Sequence, residues 1–185
     1  KGQFDTSLII AKRDTAKERE RFEDWEERIK KLKEKEKKTK KDSLALEKPY
    51  KEKVVWKKDE VDFGQFHKNM DWSKDGKKIA YSKYHYGKNQ SMVYDIKIYD
   101  TETKAHRWLT KSIRGTYPVW MDSLTIAFVA YHKNVSNIYT LNIAGGEPKR
   151  LTNFTNNTQI VFPSLSHDGQ SLAFAMNPEN GNMDI

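Results

Sequence analysis

The chain has 185 residues, with 34 Lys or Arg against 26 Asp or Glu, a formal net charge of +8 and no cysteine. The lack of cysteine excludes a disulfide framework and any thiolate zinc site, and no apolar run approaches the roughly twenty residues that a membrane span requires. The length suffices for a buried core, and the basic excess makes acidic surfaces the partners to consider.

Residues 1–45 read as a helical, Lys- and Glu-rich segment. Thr15 followed by Glu18 has the spacing of a capping box. Phe22, Trp25, Ile29 and Leu32 then recur at helical spacing as one narrow apolar stripe. Lys33 to Asp42 contains no apolar residue, so the helix is expected to dock by its first half and to fray or project beyond it. From Arg28 to Lys58 there are fourteen Lys or Arg against five Asp or Glu. That excess suits nucleic acid or an anionic surface, but mixed runs such as "KEKEKK" also supply the ion pairs of a solvated helix. With no recognised nucleic-acid motif in the sequence, nucleic acid is the disfavoured partner. Residues 46–68 read as a linker and a strand leading into a repetitive C-terminal part.

From residue 69 the sequence repeats itself. "DWSKDGKKIAY" (71–81) is echoed by "YPVWMDSLTIAFVAY" (117–131) and "FPSLSHDGQSLAFAM" (162–176), so that Trp72, Trp120 and Leu165 stand 48 and 45 residues apart. "YDIKIYD" (94–100) is answered by "NIYTLNI" (137–143), and "MDI" (183–185) begins a third copy. "RWLT" (107–110) and "KRLT" (149–152) close the first two units. Each unit reads as four short strands joined by polar turns, with Asp-Gly as the hairpin signal in two of them. The repeat positions are Trp72, Asp75, Gly76, Ile79, Tyr99 and Leu109, then Trp120, Ile126, Tyr139 and Leu151, then Asp168, Gly169 and Leu172. Four-stranded antiparallel units at this period are β-propeller blades; a β-sandwich has no reason to restate the landmarks in fixed order. The fold class is therefore mainly β, a propeller of which residues 69–185 supply about two and a half blades, preceded by the helical segment.

The pattern "WSKDGKKIAYS…DIKIYD…RWLT" resembles the TolB-like (WD-type) propeller repeat over residues 69–185. Asn69 or Met70 stands where that repeat usually has Pro, Lys74 replaces a second Pro, the first turn of blade two lacks Gly, and Leu165 replaces Trp. The resemblance implies a bacterial envelope setting, periplasmic or secreted. Two and a half blades do not close a ring, and the chain begins without Met. The expectation is an internal piece of a longer protein, with the remaining blades on the same full-length chain. More weakly, "RERFEDWEERIKKL" (19–32) resembles the end of zinc-peptidase domains that precede some such propellers.

No catalytic constellation is legible. The five histidines are scattered, H-E-x-x-H, G-x-S-x-G and P-loop motifs are absent, and no cofactor or metal site is expected. In a four-stranded meander the second connection and the inter-blade link share one face. Here these are the segments 83–92, 111–117, 132–137 and 153–159, long by comparison with the tight turns of the other face. Recognition usually sits on such loops. The candidate contact residues are Lys83, Tyr84, His85, Tyr86, Lys88, Lys111, Arg114, Tyr117, His132 and Lys133, with no Asp or Glu in these four loops. The reading is a non-catalytic interaction module for a protein or peptide partner, acidic or carboxylate-bearing. The alternative is a substrate-gating propeller of a peptidase whose catalytic domain lies elsewhere.

Overall fold

The computed structural model describes residues 5–65, 67–155 and 157–177; the third "DI" landmark, Asp184-Ile185, lies outside them. The chain divides into two units, Leu8–Asp62 and Lys1–Ser7 with Phe63–Ile185.

Strand β1 (Asp5–Arg13) pairs with β2 (Trp56–Gln65), and helices α1 (Thr15–Glu34) and α2 (Lys40–Leu46), which lie between them in sequence, belong to the first unit. The cap of α1 is one residue earlier than the sequence suggests. Asp14 accepts from Lys17 N–H at 3.1 Å, which makes Thr15 the first helical residue. A carboxylate caps at least as well as a hydroxyl. Glu18 is drawn off instead to pair with Arg13 at 2.9 Å and to accept from Val55 N–H at 2.8 Å. The capping box forms at Thr39, whose Oγ1 accepts from Asp42 N–H while Asp42 Oδ2 accepts from Thr39 N–H. It opens α2 inside the stretch expected to fray, and an ion pair between Lys35 and Asp42 at 2.8 Å supports it. In the apolar stripe of α1, Phe22 and Trp25 stack at 5.9 Å and Tyr50 packs edge-on to Phe22 at 5.1 Å, while Ile29 and Leu32 farther along are half-buried.

The second unit is a succession of antiparallel meanders. Blade one is β3 (His67–Trp72), β4 (Lys78–Tyr86), β5 (Met92–Asp100) and β6 (His106–Trp108), paired in that order. Blade two repeats it with β7 (Gly115–Trp120), β8 (Thr125–His132), β9 (Val135–Asn142) and β10 (Lys149–Arg150). Strands β11 (Gln159–Leu165) and β12 (Leu172–Asn177) start blade three.

The blades stack through their faces. Ile126 of β8 packs with Ala80, Ile98 and Trp120, and Phe128 and Ala130 pack with Ile96, all toward blade one. The alternate residues Ala127 and Val129 join Ile138 and Ile160 toward blade three, with Leu172, Phe174 and Met176 against them. A strand covered on both faces reads as an unbroken apolar run, which is why "IAFVA" does not alternate. Register also separates two landmarks: Tyr99 lies opposite Ile79, whereas Tyr139 lies opposite Phe128, two positions away in the repeat.

Each innermost strand carries a bulge at the same place. Asn69, Tyr117 and Phe162 adopt φ of 40°, 53° and 53°, and the ladder shifts register around each. A bulge leaves a residue out of the ladder, so Pro118 and Pro163 fit next to it without losing a pairing hydrogen bond, and Met70 occupies that position in blade one. The bulge residues themselves are in a region costly for non-glycine side chains. Beyond the bulge, Trp120 N–H donates to Asp71 Oδ2 at 2.8 Å and its Nε1 to Asp71 O at 3.2 Å. Trp120 is 2% exposed. At the outer side, Arg107 donates to the carbonyl of Ile143.

The polar turns repeat atom for atom. Asp75 accepts from Ser73 Oγ and Lys77 N–H, and Asp168 accepts from Ser166 Oγ and Gln170 N–H. Gly76 and Gly169 follow at φ 68° and 75°. Blade two needs no glycine because Asp122 Oδ1 folds the turn by accepting from Leu124 and Thr125 N–H.

Trp120→Ala is expected to cost about 3–5 kcal/mol in urea unfolding, the range for emptying a large aromatic site. The Asp75 and Asp168 carboxyls are held below their ordinary 3.8, first by their serine hydroxyls and then by backbone N–H groups. A depressed carboxyl adds stability above its unfolded pKa and loses it as pH falls through the folded value. The thermal midpoint should therefore fall below about pH 4, and Asp75→Asn with Asp168→Asn should flatten that fall.

Candidate functional site

The site is built around one buried carboxylate. Asp95, 0% exposed, accepts from Thr110 Oγ1 at 2.8 Å and Ile113 N–H at 3.0 Å on Oδ1. On Oδ2 it accepts from Ser112 N–H at 2.5 Å and lies 2.8 Å from His85 Nε2. Thr110 Oγ1 in turn accepts from Ile96 N–H at 2.8 Å, so the end of blade one is latched across β5. Blade two uses a neutral version. Asn137 Oδ1 accepts from Thr152 Oγ1 at 3.0 Å and Phe154 N–H at 2.8 Å, and Thr152 Oγ1 accepts from Ile138 N–H at 2.9 Å. The Leu-Thr landmark and the Asp-Ile or Asn-Ile landmark are thus two halves of one device. His85 also stacks on Trp108 at 4.1 Å, with Lys97 Nζ 5.5 Å from the same indole.

The latch fixes the link between the blades. Ser112 and Arg114 are held at φ 61° and 59°, and Ser112 Oγ accepts from Lys88 N–H at 2.7 Å, which ties the β4–β5 turn to the link. Gly87 leaves the space at that junction, because a Cβ there would lie 2.9 Å from Ser112 Oγ and 3.0 Å from Val93 Cγ2 and would make those side chains shift. The loops are shorter than the sequence suggests. β4 runs to Tyr86 and β5 starts at Met92, and between β8 and β9 only Lys133 and Asn134 remain, at φ 49° and 64°. That is a tight two-residue hairpin, whose left-handed backbone matches the twist of the flanking strands. The polar residues at 132–137 extend the ladder instead of leaving it.

Between blades one and two lies a cleft of about 420 Å³, lined by Tyr84, Met92, Val93, Tyr94, Arg114, Thr116, Tyr131, Lys133 and Asn134. None of its described lining residues is acidic. Tyr94 and Tyr131 titrate above the ordinary tyrosine value because burial disfavours the phenolate, so both stay neutral at physiological pH. Thr116 is 9% exposed, and its Oγ1 is buried with no hydrogen-bond partner among the described residues.

Of the ten candidate contact residues, Tyr84, Arg114 and Lys133 line this cleft. His85 is engaged in the latch, and Lys83 is half-buried opposite Asp95. Tyr86, Lys88 and Lys111 are exposed outside the cleft. His132 lines a neighbouring cavity of about 270 Å³ with Ile113 and Tyr139. Tyr117 turns, through its bulge, to a cavity of about 690 Å³ among the inner strands, where it meets Phe162 edge-on at 5.4 Å. Sequence pattern does not single out the wall residues Met92, Val93, Tyr94, Thr116, Tyr131 and Asn134. A cross-strand register is the missing signal, since it sets Tyr84 opposite Tyr94. Among the described residues no group of three or more His, Asp or Glu is arranged to hold a metal ion.

No protein-family model matches the chain, and no curated protein matches it. Among solved structures, TolB from Acinetobacter baumannii is similar at 21% identity and TM-score 0.48, over 69% of this chain and 34% of that one. A puromycin-hydrolyzing peptidase from Mycobacterium tuberculosis is similar at 16% identity and TM-score 0.48, over 68% and 22%. The β-propeller domain of the Trilobed protease from Pyrococcus furiosus is similar at 15% identity and TM-score 0.39, over 71% and 45%. The chain thus spans less than half the length of each of these proteins.

Asp95→Ala leaves buried N–H and O–H donors without an acceptor and is expected to destabilise by about 3 kcal/mol or more. Asp95→Asn should cost clearly less, since Asn137 performs the same task in blade two. Urea unfolding of the two variants, with amide exchange at Ser112 and Ile113, checks the difference.

Proposed function

We propose that the chain is a propeller interaction module without a catalytic centre of its own, and that it binds a negatively charged protein or peptide partner at the cleft between its first two blades. The observation that carries this reading is the convergence of Arg114 and Lys133, with Tyr84, Tyr94 and Tyr131, on a cleft without a carboxylate. Among the described residues neither Arg114 nor Lys133 is in an ion pair. Tyr and Arg are enriched at protein interfaces because they combine apolar area with directional donors. Left-handed backbone at both cations sets them on tight turns, so the main chain that carries them need not be ordered on binding. The TolB-like repeat pattern of residues 69–185 is the ground for an envelope setting, and among the described residues no helix is long and apolar enough to cross a membrane.

A second reading draws on the inner-strand cavity of about 690 Å³, lined by Trp72, Trp120, Tyr117 and Phe162. There the propeller guides substrate toward a peptidase domain carried elsewhere on a longer protein.

An array of acidic peptides separates these readings from a bare basic surface. Capture should weaken as salt rises and should drop by about tenfold or more in Arg114→Glu with Lys133→Glu. Capture unchanged in that double variant overturns the reading.

A further inference from the structure

We infer that the inter-blade cleft recognises the free C-terminal residue of a peptide, taking its carboxylate on Arg114 and Lys133 and its apolar side chain against Tyr84, Met92 and Val93; this rests on the interaction-module reading above and specifies its ligand. Two features of the cleft must be satisfied by the same occupant. It has a cationic part with no acidic residue in the lining, and it has a wall of thioether, valine and aromatic side chains. An internal acidic segment fills the first and leaves the second against charged side chains. An inorganic phosphate likewise has no use for the apolar wall. A chain end places a carboxylate and an apolar side chain on one residue.

Size and donors agree. About 420 Å³ is at the low end of small-ligand pockets and suits a terminal residue rather than a folded element. The buried Thr116 hydroxyl has no partner among the described residues, and it lines the same cleft. A buried polar group left unpaired costs stability, so an arriving acceptor gains from it. Arg adds a planar pair of donors matched to a carboxylate. Pinned turns bring these groups together before the ligand arrives: Ser112 N–H and Ile113 N–H are held on Asp95, and the Lys133–Asn134 hairpin has no slack.

The test uses the full chain and short fluorescein-labelled peptides read by anisotropy. One peptide ends in Leu as the free acid, a second is its C-terminal amide, a third is the free acid ending in Asp, and a fourth is an amide with an internal Asp of matching net charge. The free acid ending in Leu should bind most tightly. Amidation, the Leu-to-Asp change at its end and Arg114→Gln should each weaken it by about tenfold or more, with the thermal midpoint of the variant unchanged. Thr116→Val should weaken it less. Equal binding of acid and amide overturns the proposal. If the internal-Asp amide binds as well as the free acid and depends on Arg114, the acidic-partner reading stands and the chain-end specificity falls. If no peptide binds, both fall.

Discussion

A four-stranded blade has two apolar faces and cannot hide either of them alone, and this constraint organises the second unit. β8 is covered on one side through Ile126, Phe128 and Ala130 and on the other through Ala127 and Val129. Once blades must stack, their inner strands have to approach each other closely. The bulges at Asn69, Tyr117 and Phe162 re-aim those strands at the same point in each repeat. Trp120 then bridges two blades with both of its N–H groups on Asp71. In blade two, where Tyr117 carries the bulge, packing on both faces of the sheet holds that strained backbone in place.

The latch solves a second problem, that of ending a blade whose outer strand is short. β6 has three residues and β10 two, too few to anchor the chain by ladder hydrogen bonds alone. A threonine just beyond the strand reaches back to the third strand and shares its hydroxyl with Asp95 or Asn137. The charged version collects more donors, among them two successive N–H groups of the inter-blade link. It therefore shapes that link, and Arg114 projects from it. The cleft thus borders the link that terminates blade one, and the backbone that carries Arg114 is held by the latch.

The repeat is legible in the sequence because its landmarks recur in fixed order, and Trp120, Asp75 and Thr110 carry visible structural duties. Other features are hidden for physical reasons. The cap of α1 falls on Asp14 because β1 delivers the chain to the helix and recruits Glu18 to Arg13 and Val55, contacts no local pattern contains. Segment 132–137 looks like a loop by polarity, yet Ser136 and Asn137 are buried strand residues. Polarity reports exposure only where no partner waits inside, and Asn137 has one in Thr152. The cleft wall depends on which residues of β4 and β5 lie opposite each other, a matter of register that the one-dimensional pattern leaves open.

Every described strand of the second unit pairs with its neighbour in sequence, with no crossover within a blade. Such local pairing keeps loop-closure entropy small and lets structure accumulate from one end. During synthesis blade one has all its strands once Trp108 has emerged, but its latch waits for Thr110, Ser112 and Ile113. The same few residues that seal it are the first residues of the link to β7. A blade is thus sealed by the start of its successor, so the end of one blade and the beginning of the next form a single structural element.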